Sequence, residues 1–257
     1  MSLEMGAFEA AFVTGASSGL GRAIAIELAR RGTTVHVSAR REGELLETVR
    51  EIERVGGRGH AHVVDVTDRA ALDAAVREAD DRAALDLVVA GAGISESGLE
   101  DEDRVDRARA ILEVNLLGAI ATIEAGIERL GARDHGTIAC LSSLAGLRGL
   151  PGAAPYCASK AGLSTYVEAR RIDLRGTGIR LVDVQPGFVR TALTARNRFP
   201  MPFLMDAEVA GRRTVEGLER GRAVVRYPRR FAWPFAALAR TTPRSLWRAA
   251  LARGDGS

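Results

Sequence analysis

The chain has 257 residues, 46% of them hydrophobic, with 28 glycines and a formal charge of only +3. This length supports a sizeable core, and the composition is ordinary for a globular enzyme. The charge is too balanced to argue for nucleic acid, and no interleaving of aromatic and basic residues supports that reading.

From Ala10 onward, short apolar runs alternate with longer helical stretches, the pattern of an α/β chain with a parallel sheet and crossover helices. A strand at 10–14 leads through a glycine-rich turn into a helix at 22–31 and a strand at 34–39. A helix at 42–55, a strand at 60–64, a helix at 70–82 and a strand at 85–90 follow. After the acidic run 100–106 comes a long helical zone, 104–130, then a strand at 137–141. A helix at 156–175 and a strand at 179–184, stopped by Pro186-Gly187, complete the repeat. No linker-like shift in composition interrupts this series, so one domain over 1–257 is expected.

Beyond Pro186 the pattern changes. The stretch 199–205 is apolar and broken by proline, which argues against regular structure. Asp206 is a plausible N-cap for a helix to 220, and 222–227 could supply a last strand. The tail 229–257 mixes Trp233, Phe235, Leu238, Leu246, Trp247 and Leu251 with arginines. It reads as one or two short amphipathic helices broken at Pro234 and Pro243. Such a tail suits a membrane surface, or it covers the domain's apolar flank or makes a subunit contact; the covering reading is preferred. Cys140 and Cys157 have no metal-ligand spacing and read as reduced thiols. The first residues carry no signal-peptide pattern, and no uninterrupted apolar run approaches the ~20 residues of a membrane span, so a cytoplasmic protein is expected. His36, His60, His62 and His135 are not at metal-ligand spacing, so structural or solvated roles are expected and no metal.

Thr14-Gly15-Ala16-Ser17-Ser18-Gly19-Leu20-Gly21 lies between the first strand and the first helix. Glycines there permit a tight turn and let a pyrophosphate approach the helix N-terminus, where free N–H groups favour anions. A dinucleotide is therefore the expected ligand, with Gly15, Ser17, Ser18, Gly19, Leu20 and Gly21 around it. An NAD site usually carries an acid at the end of the second strand. Here that strand ends Ser38-Ala39-Arg40-Arg41. Paired arginines suit a 2′-phosphate, so NADP(H) is favoured over NAD(H), with Arg40 ahead of Arg41; a solvated loop pair is the plainer alternative. Asp65-Val66 is placed to meet an adenine edge, though Asp65 could equally cap the next helix.

Tyr156 and Lys160 are four apart, so a helix stacks them on one face. A tyrosine hydroxyl titrates near ~10, and a lysine ammonium beside it favours the phenolate. Lys160 is the only lysine in the chain, which suggests that arginine would not serve there. Alone, such a pair is most often an ordinary helical contact.

Taken together, Thr14–Gly21, Asn115, Ser143, Tyr156-x-x-x-Lys160 and Pro186-Gly187…Thr191 resemble the short-chain dehydrogenase/reductase family in its compact single-domain branch, over about 10–191. The resemblance implies a Rossmann-like, doubly wound, three-layer α/β/α fold with a seven-stranded parallel sheet. It implies hydride transfer between a nicotinamide and a carbonyl/alcohol pair. By the same resemblance, Tyr156 is the acid/base and Lys160 its electrostatic and ribose-binding partner. Ser143, 13 residues before the tyrosine, steadies the substrate oxygen, and Ser142 fits that spacing less well. Asn115 holds a water in the proton relay. Pro186, Gly187, Val189 and Thr191 pack and hydrogen-bond the nicotinamide side. Gly91 and Gly93 let the backbone pass close to the cofactor. The helices 104–130 and 156–175 pair in a homodimer or homotetramer.

Two features depart from the family pattern. Ala90-Gly91-Ala92-Gly93 stands where the family commonly has Asn-Asn-Ala-Gly, so local support must come from elsewhere. Ser18 stands where many NADP-using members have a basic residue, which leaves Arg40 and Arg41 to carry the preference. The segment 189–213 falls where the family builds its substrate lid. Phe188, Leu193, Phe199, Met201, Phe203, Leu204 and Met205 would line an apolar pocket for a hydrophobic or lipid-like carbonyl, or else pack the lid onto the domain. A non-catalytic, nucleotide-binding scaffold of the same fold is the rival reading. Retention of Asn115, Ser143, Tyr156 and Lys160 together argues against it.

Overall fold

Strands covered on both faces need apolar residues at nearly every position, and the central strands of this chain have them. The computed structural model describes residues 8–96, 99, 101–195 and 201–252, the last three by their helical backbone. Along it come β1 (Ala10–Thr14), α1 (Gly19–Arg30), β2 (Thr34–Ala39), α2 (Glu42–Arg54), β3 (Arg58–Val63), α3 (Arg69–Arg82) and β4 (Leu87–Ala90). α4 (Arg104–Leu112) runs through a π turn, Glu113–Gly118, into α5 (Ala119–Gly131), followed by β5 (Gly136–Leu141) and a 3₁₀ turn at Leu144–Gly146. Then come α6 (Ala154–Asp173), β6 (Ile179–Pro186), β7 (Val189–Arg190), β8 (Met205–Asp206), α7 (Ala207–Glu219), β9 (Val224–Tyr227), α8 (Arg229–Thr241) and α9 (Arg244–Ala252).

Seven strands form one parallel sheet in the order β3-β2-β1-β4-β5-β6-β9. Successive residues of each strand feed opposite cores. Ala11, Val13, Leu87 and Val89 meet Ile24, Leu28, Leu45, Val215 and Leu218 of α1, α2 and α7. Ala10, Phe12, Val88 and Ile138 meet Leu72, Val76, Ile123, Leu163 and Val167 of α3, α5 and α6. The fold is therefore the doubly wound, three-layer α/β/α arrangement that the resemblance implies. The strand order reverses between β1 and β4, and a crevice opens there at the strands' C-terminal ends.

Several local expectations change. The first helix starts at Gly19, not residue 22, because the glycine turn feeds straight into it. Pro234 does not break α8; the hydrogen bond that it forgoes would fall on the carbonyl of Arg230, an exposed residue that water can serve. Pro243 does separate α8 from α9. Met205 is a strand residue, pairing with Val189 beside the main sheet. Of the expected lid span, 207–213 are the first half of α7, packed on α1. The rod Arg104–Gly131 is long and apolar enough to cross a bilayer, but 44% of its most apolar stretch is buried inside the protein.

The histidines are brought together in a way that their spacing did not reveal. β2 and β3 pair in the register His36↔His60, which stacks three of the four imidazoles. His36 Nδ1 lies 2.9 Å from His62 Nε2, with both rings buried. Among the described residues no group of three or more His, Cys, Asp or Glu could hold a metal ion, so the cluster is a packing feature.

Candidate active site

The turn from β1 to α1 works only with glycine. Gly15 has φ +70°, and a Cβ there would fall 2.6 Å from the Ala92 Cα and the Gly91 carbonyl oxygen. A Cβ on Gly21 would stand 2.4 Å from the Gly15 oxygen. Thr14 ties the neighbouring strand in: its hydroxyl donates to the Val89 carbonyl (3.2 Å) and accepts from Gly91 N–H (3.0 Å). This bond supplies the support that Ala90 cannot. Ser18, the N-cap of α1, makes no side-chain cap bond and the first turn holds no acid, so the leading N–H groups are left to an anion.

That turn forms one end of a cleft of about 460 Å³. Its walls contain every residue that the sequence marked for the cofactor: Gly15, Ser17, Ser18, Gly19, Leu20, Gly21, Arg40, Arg41, Asp65, Val66, Gly91, Gly93, Tyr156, Lys160, Pro186, Gly187, Val189 and Thr191. A glycine floor against a free helix N-terminus, with two arginines at the rim, fits a dinucleotide phosphate. The arginines divide their work. Arg40 reaches toward Asp65 at 3.5 Å, with both groups well exposed. Arg41 turns back over the glycine turn and donates to the hydroxyls of Ser17 and Ser18, each at 3.2 Å. Asp65 is no helix cap. It accepts from the N–H and hydroxyl of Thr67, while Asp68 caps α3. Burial opposes ionisation of Asp65, but the Thr67 bonds and the Arg40 charge outweigh it and hold the carboxyl below its ordinary range.

At the other end, the start of α6 brings the reactive groups together. Tyr156 and Ser143, which follows β5, border the same cleft. Lys160, buried one turn on, donates to the Leu141 carbonyl at 2.8 Å and stands 5.7 Å from the centre of the Tyr156 ring. The expected lowering of the tyrosine pKa by this lysine is not what the geometry produces. Burial pushes the Tyr156 hydroxyl up to about 12; the Ser143 side chain pulls against it, and Cys157 and Glu96 add to the rise. Lys160 is itself pushed down to about 8 by burial, with Asp183 and Cys140 opposing. Its ammonium donates to a backbone carbonyl. Tyr156 is thus a neutral O–H donor at physiological pH.

Asn115 sits behind the wall, in the π turn. Its side chain accepts from Ile94 N–H (2.7 Å) and donates to the Ile94 carbonyl (2.8 Å) and Ser159 Oγ (3.3 Å). In this arrangement it clamps the segment after β4 against α6. A π turn is a local irregularity often found at working sites, and here it carries that clamp.

Sequence reasoning missed two participants. Glu96 accepts the Tyr156 N–H at 3.3 Å, serving the open N-terminus of α6 from a loop 60 residues away. The second is a buried polar chain: Ser142 donates to Asp183, Gln185 bridges Asp183, and Arg226 of β9 donates to Gln185. Both serines border the cleft, but the Ser142 hydroxyl is spent on Asp183. Of the residues expected to line an apolar pocket, Leu193 borders the cleft, Met205 joins the core and Phe203 is 58% exposed. Phe199 lies outside the described residues.

Comparison with known proteins places the chain in a family. The family model described as short chain dehydrogenase matches residues 9–200. An uncharacterized oxidoreductase of Myxococcus xanthus is 43% identical over 249 residues, 96% of this chain and 97% of that protein. The ketoacyl reductase HetN of a Nostoc species is 34% identical over 194 residues, 75% of this chain and 68% of its own. Among solved structures, a single-substitution variant of an actinorhodin polyketide ketoreductase with NADPH superposes with a TM-score of 0.76 at 26% identity, covering 85% of this chain and 95% of that one. A Burkholderia phymatum short chain dehydrogenase/reductase with NAD shares the fold, with a TM-score of 0.80 at 22% identity over 91% and 93% of the two chains. The chain belongs to the short-chain dehydrogenase family of oxidoreductases.

Proposed function

We propose that this protein interconverts a carbonyl and a secondary alcohol with NADP(H), on an apolar or lipid-like substrate, and that Tyr156 is its acid/base. The observation carrying this reading is the placing of Ser143 and Tyr156 together on the wall of the cleft, with Lys160 one turn behind the tyrosine. When bound, the nicotinamide would supply or accept the hydride. Ser143 and Tyr156 present two O–H donors toward a carbonyl oxygen in the cleft, where developing negative charge is stabilised by groups already in position. Tyr156 then gives up its proton to that oxygen, and its raised pKa keeps the proton in place until the charge appears. Lys160, largely protonated at neutral pH, offsets the phenolate left behind and would also bind the ribose. Asn115 holds the wall on which the cofactor would lie and steadies α6 through Ser159.

The preference for NADP(H) is supported by the rim. Arg41, braced on Ser17 and Ser18, and Arg40 offer charge-assisted donors beside the glycine turn, with no acid at the end of β2. Gly91, Gly93, Pro186, Gly187, Val189 and Thr191 would flank the nicotinamide half, and Asp65 and Val66 the adenine. The apolar character of the substrate is supported by Val189, Leu193 and Val114 around the open side of the cleft. Exposed Val105, Leu117 and Ile172 on α4, the π turn and α6 fit a subunit interface through these helices, hence a homodimer or homotetramer.

Substituting Tyr156→Phe tests the mechanism. Carbonyl reduction should fall by at least ~10²-fold, while NADPH binding, followed by cofactor fluorescence, is retained. Near-normal turnover in the variant would refute the role of Tyr156.

A further inference from the structure

The last two helices contain arginines but no acidic residue: Arg229, Arg230, Arg240, Arg244 and Arg248 are all exposed, and none forms an ion pair among the described residues. Their apolar residues are sorted in an unusual sense. α8 turns its small side chains inward, burying Ala232, Ala236 and Ala239, and leaves Trp233 (56% exposed) and Leu238 (55%) outside. Leu246 of α9 is 60% exposed. Phe203, at the end of the lid, joins the same surface: its ring lies 5.8 Å from Phe231, which stacks on Phe235, which meets Trp247 edge-on.

This surface is held in place. Arg148 donates to the carbonyls of Ala239 and Thr242 at the end of α8, and Trp247 Nε1 donates to the Gly149 carbonyl. The Arg226 guanidinium lies over the Trp233 ring at 5.5 Å. The tail therefore does cover the domain, as its small-residue face requires, and its outer side carries exposed apolar side chains on both flanks of α8 with arginines set among them.

We propose that this face docks on the surface of an anionic lipid bilayer, with Phe203, Trp233, Leu238 and Leu246 entering the interface and the arginines meeting the headgroups. Tryptophan, phenylalanine and leucine set among arginines are the composition of an interfacial helix. Each cation near an anionic surface adds to the attraction. A second copy of the chain fits the same face poorly, because a two-fold contact would bring one set of arginines against the other. A neutral bilayer or an apolar protein groove would leave the charges without partners.

Vesicle flotation tests this with the full chain and no substrate, so it is independent of which carbonyl is reduced. Vesicles of phosphatidylcholine containing phosphatidylglycerol should bind at least about tenfold more protein than phosphatidylcholine alone, with the difference shrinking at high salt. The double variant Trp233→Ser/Leu246→Ser, its fold checked by circular dichroism, should lose most of that binding. In the unaltered chain, bilayer-placed brominated lipid should quench tryptophan fluorescence, and Trp233→Phe should lose most of the quenching. Equal binding to both vesicle types overturns the proposal. So does binding that survives the double substitution without quenching. Self-association that these substitutions dissolve would assign the face to a second copy instead, and overturn it too.

Discussion

His36 offers the most quantitative test of the structure. It lies on β2 with no exposed surface, its Nδ1 facing His62 and its Nε2 without a partner. Burial lowers its pKa from the ordinary 6.5 to about 4; the charges of His62, His60 and Arg82 push the same way, and Glu78 pulls back. Because the folded-state value lies below the unfolded one, His36 costs nothing above about pH 6.5 and destabilises the fold as pH falls through that value toward 4. The interval from 6.5 to about 4, at ~1.4 kcal/mol per pH unit, corresponds to about 3 kcal/mol of lost stability. Replacing His36 with leucine removes this contribution. The leucine costs something at neutral pH, roughly 1 kcal/mol for the hydrogen bond to His62. The diagnostic quantity is therefore not the offset at one pH but its change with pH. Urea unfolding, followed by far-ultraviolet circular dichroism at one protein concentration, should be run from pH 7 down to about 4. The difference in unfolding free energy between variant and parent should move by about 3 kcal/mol in favour of the variant. Carboxylates that also titrate there are common to both proteins and largely cancel. Parallel curves across the range would mean that His36 is not buried as the neutral ring, and that the β2–β3 register is wrong.

The other predictions concern the site. Arg41→Ala should raise the KM for NADPH by roughly tenfold, the worth of one partly solvent-screened charge-assisted bond, with little effect on NADH. Arg40→Ala should do less, the reverse of the order expected from the sequence, because Arg41 lies over the glycine turn and Arg40 faces Asp65. Equal effects on both cofactors, or a clear NADH preference in the unaltered enzyme, would sink the NADP(H) assignment. Asp183→Asn removes the buried negative charge that opposes the lowering of the Lys160 pKa. The limb of the pH–rate profile that needs a protonated Lys160 should then move toward acid, and an unmoved limb would show that Asp183 acts only through packing.

Some of this protein could be read directly from its residues. Alternation of apolar runs with helical periods follows from local burial and propensity, so strands at 10–14 and 34–39 appear where expected. The glycine turn is legible because only glycine tolerates φ +70° and a backbone neighbour within 2.6 Å, conditions that leave their mark in the residue types. That Tyr156, Lys160 and Ser143 border one cleft was legible for a similar reason, since their spacing is set by a single helix and the loop before it.

What stayed hidden depends on which strands pair and on how deeply groups are buried. Glu96 meets Tyr156 N–H across 60 residues, and the Ser142–Asp183–Gln185–Arg226 chain crosses three strands. No local pattern encodes either. The parallel register of β2 and β3 turned three apparently unrelated histidines into one stack. The tyrosine shows the difference most plainly. By itself the sequence determined that Tyr156 and Lys160 share a helix face, because 3.6 residues per turn requires it. Only the tertiary structure decided that the lysine spends its ammonium on Leu141 and that burial, not the neighbouring charge, governs the phenol, because desolvation depends on everything packed around the site.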